Sequence, residues 1–336
     1  MKKILLIATG GTMASRQTNS GLAPQITAAE MLDHVPEIRK ICHAETLQLF
    51  NLDSTHIHHL HWCDIAACIQ DNYNAYDGFV ITHGTDTMAY TAAALSYLVQ
   101  GSPKPVVLTG AQKPIGMRET DAVTNLADAF LYAADDEACG VHLVFDGRVI
   151  LGTRARKTRT KSYNSFSSID FPEVARIRDG RIIFFISEKT EAMTPAFFRH
   201  MDQGVFVLKL IPGMKADVIS YLKRGCHALV IESFGVGGIP GGEGVGFVEA
   251  MEEWTASGRV LVMSTQVPHE GVDLDLYEVG LDVKRKMDVL EARDMTLEAT
   301  VTKLMWILGQ TQDREEITRL FYTPIHKDIL LLSGRA

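Results

Sequence analysis

The sequence predicts an α/β protein with two α/β domains, a larger N-terminal domain built on a parallel sheet and a smaller C-terminal domain. Short, continuous apolar runs such as Lys2–Thr9 and Gly78–Ile81 have the composition of strands buried on both faces of a parallel sheet. Helical segments alternate with such runs in both halves of the chain. With 336 residues, 46% of them hydrophobic, the chain is long for one domain and can bury sizeable cores.

The N-terminal half begins with the strand Lys2–Thr9, which runs into Gly10-Gly11-Thr12, where glycines allow the backbone to pass close to a ligand. Residues 16–24 show no periodicity and are rich in turn formers, so we expect a mobile loop there. The elements predicted next are a capping-box helix from Thr27 to Val35, strands Glu45–Leu52, Gly78–Ile81 and Pro105–Leu108, helices Asp64–Tyr73, Met88–Val99 and Thr120–Ala134, and a hairpin over 141–152 around Asp146-Gly147.

The C-terminal half repeats this alternation. We predict an N-terminal domain over 1–190, a linker over 191–204 where the composition shifts, and a C-terminal domain over 205–336. The glycine-rich stretch 235–242 is predicted to be a loop, because Pro240 stands where a dinucleotide fingerprint needs its last glycine. The predicted elements are strands Val205–Leu210, Ala228–Ile231 and Val260–Thr265, helices Ala216–Arg224, Val245–Thr255, Thr296–Leu308 and Asp313–Phe321, and an acidic loop over 273–278.

One strand-to-helix turn carries an unusual density of polar side chains. Thr85, Asp86 and Thr87 follow His83-Gly84 directly, and each of the three is a competent N-cap, although a helix needs only one. Open α/β folds bind their ligands at the carboxyl ends of parallel strands. The structural alternative is an over-capped helix; the functional interpretation, which we favour, is a ligand site.

Charge and composition exclude several classes of protein. The formal net charge of -8 argues against a nucleic-acid-binding protein. No segment approaches the roughly 18 apolar residues of a membrane span, and the apolar run after Met1-Lys2-Lys3 is too short for a secretory signal. The 5 cysteines are scattered, which indicates reduced thiols. We therefore expect a cytoplasmic protein that binds neither nucleic acid nor membrane.

Two further clusters allow alternative functions. Residues 56–61 hold four histidines, but their spacing does not match the paired histidines of a zinc helix, so we interpret them as a polar helix entry and expect no metal. The stretch 153–161 is the most basic in the chain. It either holds a small anionic substrate or forms a solvated basic strand.

Several motifs together resemble the bacterial-type L-asparaginases. The motifs are Ala8–Thr12, Asp53-Ser54, His83–Thr87, Thr109–Ala111 and the lysine Lys157. The similarity runs from Lys2 through Leu308, and the stretch Ala75–Tyr90 points to the cytoplasmic, type I branch. The resemblance implies a flavodoxin-like N-terminal domain and hydrolysis of L-asparagine to L-aspartate and ammonia through an acyl-enzyme, without metal or organic cofactor.

The resemblance also assigns catalytic roles. Thr12 matches the family's nucleophile, and Thr85, Asp86 and Lys157 match its second set of catalytic residues. The chemistry agrees, because a threonine hydroxyl needs a proton acceptor before it can attack an amide. Lys157 could accept that proton only where burial and its arginine neighbours favour a neutral amine. The turn at 85–87 would supply backbone N–H groups for developing negative charge.

Substrate-binding roles follow from the same motifs. Ser54 and Asp86 match the residues that hold the substrate's α-carboxylate and α-amino group, and Thr55 lies next to them. Ala111 matches the position whose backbone carbonyl faces the substrate amide. These positions, like the catalytic ones, are carried over from the family.

One position departs from the family pattern. The family usually carries a tyrosine in the mobile loop after the first threonine, and the aligned residue here is Leu22. Tyr277 is the candidate replacement. Because the family builds its site between two subunits, the resemblance implies a homodimer or homotetramer in which Tyr277 acts across an interface.

Three alternatives stay open. A glutaminase-leaning amidohydrolase and the amide-hydrolysing subunit of a tRNA-dependent amidotransferase share these motifs, although that subunit carries an additional N-terminal domain and the first strand here starts at Lys2. The third is a non-catalytic sensor that binds asparagine. A sensor has no use for a nucleophile and a proton acceptor, which Thr12 and Lys157 would supply.

Overall fold

The structure, a computed structural model, describes residues 1–18, 21–187, 194–241 and 246–330, without the side chains of 16–18, 21–24 and 279. The chain divides into two compact units. The first comprises Met1–Arg199 with Ile325–Lys327, and the second comprises His200–Pro324 with the residues from Asp328 onward. Each unit is built around its own sheet.

Strands and helices alternate along the first unit. Its strands are β1 (Lys3–Gly10), β2 (Ser15–Thr18), β3 (Gly21–Pro24), β4 (His43–Leu52), β5 (Gly78–Thr82), β6 (Val99–Gln100), β7 (Pro105–Thr109), β8 (Gly140–Phe145), β9 (Arg148–Leu151), β10 (Ala155–Lys157), β11 (Phe166–Ser168), β12 (Ala175–Arg178), β13 (Arg181–Phe184) and β14 (Ala196–Phe197). Its helices are α1 (Ala28–Asp33), α2 (Ile38–Ile41), α3 (His59–Asn72), α4 (Met88–Leu98) and α5 (Ala122–Ala133), with 3-10 turns at Thr12–Ala14 and Ser54–His56.

The main sheet confirms the predicted N-terminal fold. Over the described residues it has 8 strands in the order β13-β12-β9-β8-β7-β5-β1-β4. The five strands from β8 to β4 in this order are parallel, whereas β9, β12 and β13 extend the sheet in antiparallel fashion. Numbered along the chain, the parallel strands lie in the order second, first, third, fourth, fifth, which is the flavodoxin-like order.

The apolar run of β1 explains its interior position. Ile4 and Leu6 on one face belong to a buried core together with Phe130 of α5. Leu5 and Ile7 on the other face are 1% and 0% exposed. A strand buried on both faces needs apolar residues at every position, so a continuous run rather than an alternating one predicts it.

The second unit is smaller and confirms the predicted C-terminal α/β domain. Its four strands within the described residues are all parallel and lie in chain order, from β15 to β18. The strands are β15 (Val205–Lys209), β16 (Ala228–Ser233), β17 (Val260–Thr265) and β18 (Leu290–Glu291), and the helices are α6 (Asp217–Leu222), α7 (Phe247–Ala256), α8 (Glu278–Lys286), α9 (Leu297–Leu308) and α10 (Arg314–Tyr322). The start predicted for α7, Val245, and the end of the glycine-rich loop, Gly242, lie outside the described residues.

Two local predictions are wrong. The described part of the expected loop over 16–24 instead forms β2 and β3, which pair antiparallel from Ser15 opposite Pro24 to Thr18 opposite Gly21. The mobility expected there stays a prediction. Backbone hydrogen bonds between neighbouring segments need no apolar periodicity, so the pattern did not reveal this pairing. The acidic loop prediction fails at its end, because α8 begins at Glu278, where an acidic residue in the first turn suits the helix dipole.

The histidine cluster forms the entry of a helix, as predicted, but α3 begins at His59 rather than at Asp64. His58 is the N-cap, and its backbone N–H donates to Nδ1 of His61 over 3.2 Å. Burial and the neighbouring His58 lower the pKa of His61. These contacts leave the cluster with a local structural role.

A buried chain of hydrogen bonds holds the turn after β5. The Trp62 indole N–H donates to the hydroxyl of Thr91 over 2.9 Å, and that hydroxyl lies 2.9 Å from Nε2 of His83. The other ring nitrogen, Nδ1, lies 2.7 Å from the carbonyl oxygen of Gly84. A neutral imidazole with its proton on Nδ1 satisfies every partner, because Nε2 then accepts from Thr91. Burial lowers the pKa of His83 to about 4, which favours this neutral form.

His83 therefore makes stability depend on pH. Its folded pKa of about 4 lies below the ordinary value of 6.5, so the unfolded chain binds the proton more readily. The contribution to stability is complete above the ordinary pKa and is lost as the pH falls towards the folded one. Between pH 7 and 4.5 we expect about 2–3 kcal/mol of the unfolding free energy to be lost through this residue.

Urea denaturation at both pH values measures this loss. His83→Gln should lose less stability on acidification than the wild type, whereas His34→Gln, at an exposed histidine, should behave like the wild type. Equal pH dependence in the wild type and His83→Gln would contradict the assignment.

Candidate active site

Four parallel strands end side by side at one edge of the main sheet. Gly11-Thr12 follows β1, Asp53-Ser54 follows β4, His83–Asp86 follows β5 and Gly110-Ala111 follows β7. The order of strands reverses between β1 and β5, and the crevice at such a switch point is where α/β sheets of this kind bind ligands. The first and second threonine motifs thus flank the switch point.

Glycines bring these turns into backbone contact. Gly11 has φ 79°, and a Cβ on it would lie 2.3 Å from the backbone nitrogen of Gly84. A Cβ on Gly84 would lie 2.7 Å from Oγ of Ser54. Any larger residue at either position would force the turns apart. Thr12 and Thr85 each follow one of these glycines, so the close approach sets the positions of both threonines.

Lys157 joins Thr85 and Asp86 in one polar cluster. The lysine ends β10, and its Nζ donates to Oγ1 of Thr85 over 2.8 Å and to Oδ1 of Asp86 over 2.6 Å. The lysine side chain is 15% exposed and that of Asp86 is 63% exposed. The structure thus unites three of the predicted catalytic residues, although more than seventy positions separate the lysine from the other two.

The alternative of an over-capped helix is wrong. Thr87 is the N-cap of α4, but its side chain makes no capping hydrogen bond. Its hydroxyl donates instead to the carbonyl oxygen of Ser54 over 2.7 Å. Because Thr85 and Asp86 bind Lys157, the polar residues of this turn join neighbouring loops rather than cap the helix.

Of the two residues predicted beside the substrate's carboxylate, only Ser54 lies against the β5 turn. Ser54 is 4% exposed and packs on Gly84. The exposed Thr55 donates its backbone N–H and its hydroxyl to Oδ1 of Asp53, over 2.8 and 2.7 Å. These hydrogen bonds lower the pKa of Asp53, so Thr55 stabilises the turn that presents Ser54.

Two residues that the sequence analysis missed hold the loop of the buried Ala111. Asp121 accepts the backbone N–H of Gln112 and Lys113, each on an oxygen within 3.1 Å. Asn125 donates to the carbonyl oxygen of Gly110 over 2.9 Å. Asp121 and Asn125 are 7% and 2% exposed. The available signal was a polar residue, Asn125, on the buried face of α5, four positions after the N-cap Asp121.

The solvated-strand interpretation of the basic stretch is wrong at two positions. Arg154 is 0% exposed, and its Nε donates to the carbonyl oxygen of Lys327 over 2.7 Å. Lys157 belongs to the polar cluster described above. Arg159 is exposed and donates to the carbonyl oxygen of Asn164 over 3.0 Å.

Tyr277 and Leu22 complete the set of sequence-predicted positions. Tyr277 is the N-cap of α8 in the second unit, is 65% exposed and lines a cavity of about 220 Å³ together with Val236 and Leu274. The side chain of Leu22 is not among those that the structure describes. Both roles therefore stay predictions.

The described residues contain neither a cluster of metal ligands nor a membrane-spanning helix. Across residues 1–18, 21–187, 194–241 and 246–330, histidine, cysteine and carboxylate side chains form no group of three arranged to hold a metal ion. Within these ranges no helix combines the length and the apolar character needed to cross a bilayer.

Comparisons with known proteins agree with this architecture. The family model described as "Asparaginase, N-terminal" matches residues 3–190, and that described as "Glutaminase/Asparaginase C-terminal domain" matches residues 204–321. The L-asparaginase of Thermococcus kodakarensis is 38% identical over 331 residues, which cover 97% of this chain and 99% of that protein. L-asparaginase 1 of Escherichia coli K12 is 32% identical over 339 residues, with 95% of each chain covered.

Relatives with a different name also match. A glutamyl-tRNA(Gln) amidotransferase subunit of Pyrococcus furiosus is 34% identical over 334 residues, which cover 95% of this chain and 75% of that protein.

Solved structures show the same fold. The thermostable L-asparaginase of Thermococcus kodakarensis superposes with a TM-score of 0.92 at 37% identity, covering 98% of this chain and 100% of that one. The probable cytoplasmic L-asparaginase of Campylobacter jejuni gives a TM-score of 0.82 at 26% identity, covering 96% and 99%. The chain therefore belongs to the bacterial-type asparaginase family, in its type I branch, and is an asparaginase enzyme.

Proposed function

We propose that this enzyme hydrolyses L-asparagine to L-aspartate and ammonia, with Thr12 as the nucleophile and an acyl-enzyme as the intermediate. The observation that carries the proposal is the Lys157 amine bonded to both Thr85 and Asp86 beside the switch point of the sheet. The names of the relatives from Thermococcus and Escherichia support L-asparagine as the substrate. The reaction uses neither a metal nor an organic cofactor.

The chemical step follows from the chain's own groups. Oγ of Thr12 attacks the side-chain amide carbon of asparagine, and the hydroxyl proton passes to the departing amide nitrogen, which leaves as ammonia. The resulting ester is hydrolysed by water, which releases aspartate and restores the threonine. Thr85 and Lys157 move the proton, since Nζ of Lys157 already lies at hydrogen-bond distance from the Thr85 hydroxyl.

Substrate recognition uses opposite charges. The exposed Asp86 carboxylate binds the α-ammonium of asparagine, and Ser54 binds its α-carboxylate. The Ala111 carbonyl accepts from the side-chain amide and orients it for attack. The turn at 85–87 supplies backbone N–H groups towards the negative charge that develops on the amide oxygen.

The assembly and location are proposed along with the activity. We propose a homodimer or homotetramer in the cytoplasm, in which Tyr277 supplies the hydroxyl that Leu22 lacks from across a subunit interface. The high exposure of Tyr277, 65%, leaves its hydroxyl available for such a role. Binding to nucleic acid or membrane forms no part of the proposal.

A second candidate function is amide hydrolysis directed at glutamine or coupled to a tRNA-dependent amidotransferase. The similarity to the amidotransferase component from Pyrococcus furiosus favours it. A non-catalytic asparagine sensor is the third possibility, and it differs from both by stoichiometric binding without turnover.

Ammonia release separates these functions. Purified protein should release ammonia from L-asparagine much faster than from L-glutamine, and EDTA should leave both rates unchanged because no step needs a metal. Faster release from glutamine would favour the second candidate. Tight binding of asparagine without release would establish the sensor and contradict the proposal.

Thr12→Ala should lower kcat by at least about 10⁴-fold, because it removes the attacking oxygen. Asparagine binding, measured by calorimetry, should persist. Thr255→Ala is the matched control, since the Thr255 hydroxyl bonds only within its own helix in the described contacts, to Met251 and Glu252. Retained turnover in Thr12→Ala would move the nucleophile to Thr85.

Asp86→Asn should raise KM by about 10- to 100-fold, because the substrate ammonium loses a charge-assisted hydrogen bond. The change keeps the size of the side chain, so the turn should persist in the variant. Steady-state kinetics with asparagine measure KM, and Asp64→Asn, on α3, serves as the control. An unchanged KM would remove Asp86 from the substrate site.

A further inference from the structure

A short segment near the C terminus is held in a strained conformation. This segment, Ile325–Lys327, belongs to the first unit, and we call it the strap. His326 has φ 50° and Lys327 has φ 56°, so two consecutive residues with a Cβ occupy the left-handed region. Each such residue costs about 1–2 kcal/mol. Conformations of this kind persist where the surroundings determine them, and they cluster at functional sites.

Side-chain contacts fix the strap on the first unit. The His326 ring lies 5.3 Å from that of His142, centroid to centroid, in edge contact. It also packs so closely on Gly140 that a Cβ there would lie 2.6 Å from Nε2 of His326. The Lys327 ammonium lies 5.6 Å from the centre of the Phe171 ring.

The backbone of the strap accepts hydrogen bonds from one turn. The carbonyl oxygen of His326 accepts from the Thr153 hydroxyl over 2.8 Å, and that of Lys327 accepts from Nε of Arg154 over 2.7 Å. The positive φ angles of His326 and Lys327 orient their two carbonyl groups towards these neighbouring donors. The carbonyl oxygens of the strap therefore bind the turn at 152–154 through two hydrogen bonds.

Arg154 is the main anchor of that turn. Its side chain is 0% exposed, and its guanidinium carbon lies 5.7 Å from the centre of the Phe171 ring. A guanidinium stays charged in proteins and is costly to bury without acceptors, so its partners are strongly specified. In an exposed loop an arginine of this kind would have no such constraint.

The same turn leads directly into β10, the strand that carries Lys157. β10 begins at Ala155, directly after Arg154, and Lys157 follows two residues later. The backbone of Arg154 is tied on both sides, its N–H to Leu151 and its carbonyl to the N–H of Ile169, each over 2.9 Å. A shift of this turn would displace the lysine.

Helix α4 supports the turn from a second direction. Gly152 lies so close to this helix that a Cβ on it would be 2.7 Å from the carbonyl oxygen of Ala92. The helix starts at Met88, directly after the turn that carries Thr85 and Asp86. The turn at 152–154 thus contacts α4 on one side and the strap on another.

We propose that Arg154 is a positioning residue for Lys157, and that the strap carbonyls hold it in place. The inference rests on the proposed function, in which Lys157 moves the proton. The Lys157 amine forms hydrogen bonds of 2.8 Å to Thr85 and 2.6 Å to Asp86. Both distances depend on where β10 begins. Arg154 donates to the carbonyl oxygen of Lys327, and its effect on the lysine passes through β10.

The test is a double-mutant cycle on the full-length enzyme. Arg154→Lys keeps the charge but loses the planar fork that reaches the Lys327 carbonyl. We expect kcat for asparagine to fall by about 10- to 100-fold, as a small misplacement of a catalytic group produces, with KM within about twofold of wild type. In a Lys157→Met background, Arg154→Lys should lower the residual kcat no further. Arg181→Lys, at an exposed arginine of β13, should match the wild type.

Circular dichroism and thermal melts establish that each variant folds. Where Arg154→Lys does not fold, Thr153→Val takes its place in the cycle and should lower kcat by about two- to tenfold, since it loses one neutral hydrogen bond to the strap.

Each contrary outcome has a distinct meaning. A folded Arg154→Lys enzyme with wild-type kcat overturns the positioning role. So does a loss of kcat that is equally large in the Lys157→Met background, because Arg154 would then act independently of the lysine. If Lys157→Met alone is fully active, or if the wild type releases no ammonia, the proposed function fails instead.

Discussion

The close backbone approach of Gly11 to Gly84 is the constraint on which the site depends. No Cβ fits at either glycine, since one on Gly11 would lie 2.3 Å from the Gly84 nitrogen. The contact places the turns after β1 and β5 together at the switch point of the sheet. Thr12 and Thr85 follow these glycines directly, so their relative position is a property of the backbone. Side-chain hydrogen bonds, such as those of Lys157 to Thr85 and Asp86, then add to an arrangement that the backbone has already set.

Buried polar residues stiffen the turns that backbone contact brings together. The neutral His83 imidazole ties the β5 turn to α4 through Thr91, and Asp121 with Asn125 ties the β7 loop to α5. Each network supplies hydrogen-bond partners for buried polar groups, which favours one arrangement of the turns. Such an arrangement suits the proposed site, which would hold a hydroxyl, an amine and a carboxylate in a defined geometry.

The sequence patterns predicted most strands and helices, because apolar runs and capping residues are local signals. They were weaker where structure depends on partners distant in the chain. The pairing of β2 with β3 follows from backbone hydrogen bonds that leave no apolar period. Arg154 looked like part of a solvated basic stretch, yet it is buried because a carbonyl from Lys327 receives it. The residues that neighbour Arg154 in the sequence do not predict this acceptor, which lies 173 positions away.

The sequence by itself determined the fold class and the order of the elements, because both depend on residue type and short spacings. The residues proposed for amide hydrolysis were identified by their resemblance to a family, and their roles stay predictions. Tertiary structure alone decided that Lys157 reaches Thr85 and Asp86, that Thr87 bonds to Ser54 instead of capping α4, and that a strained strap receives Arg154. The physical reason is that a hydrogen bond requires two atoms within about 3 Å, and only the folded sheet brings these distant segments that close.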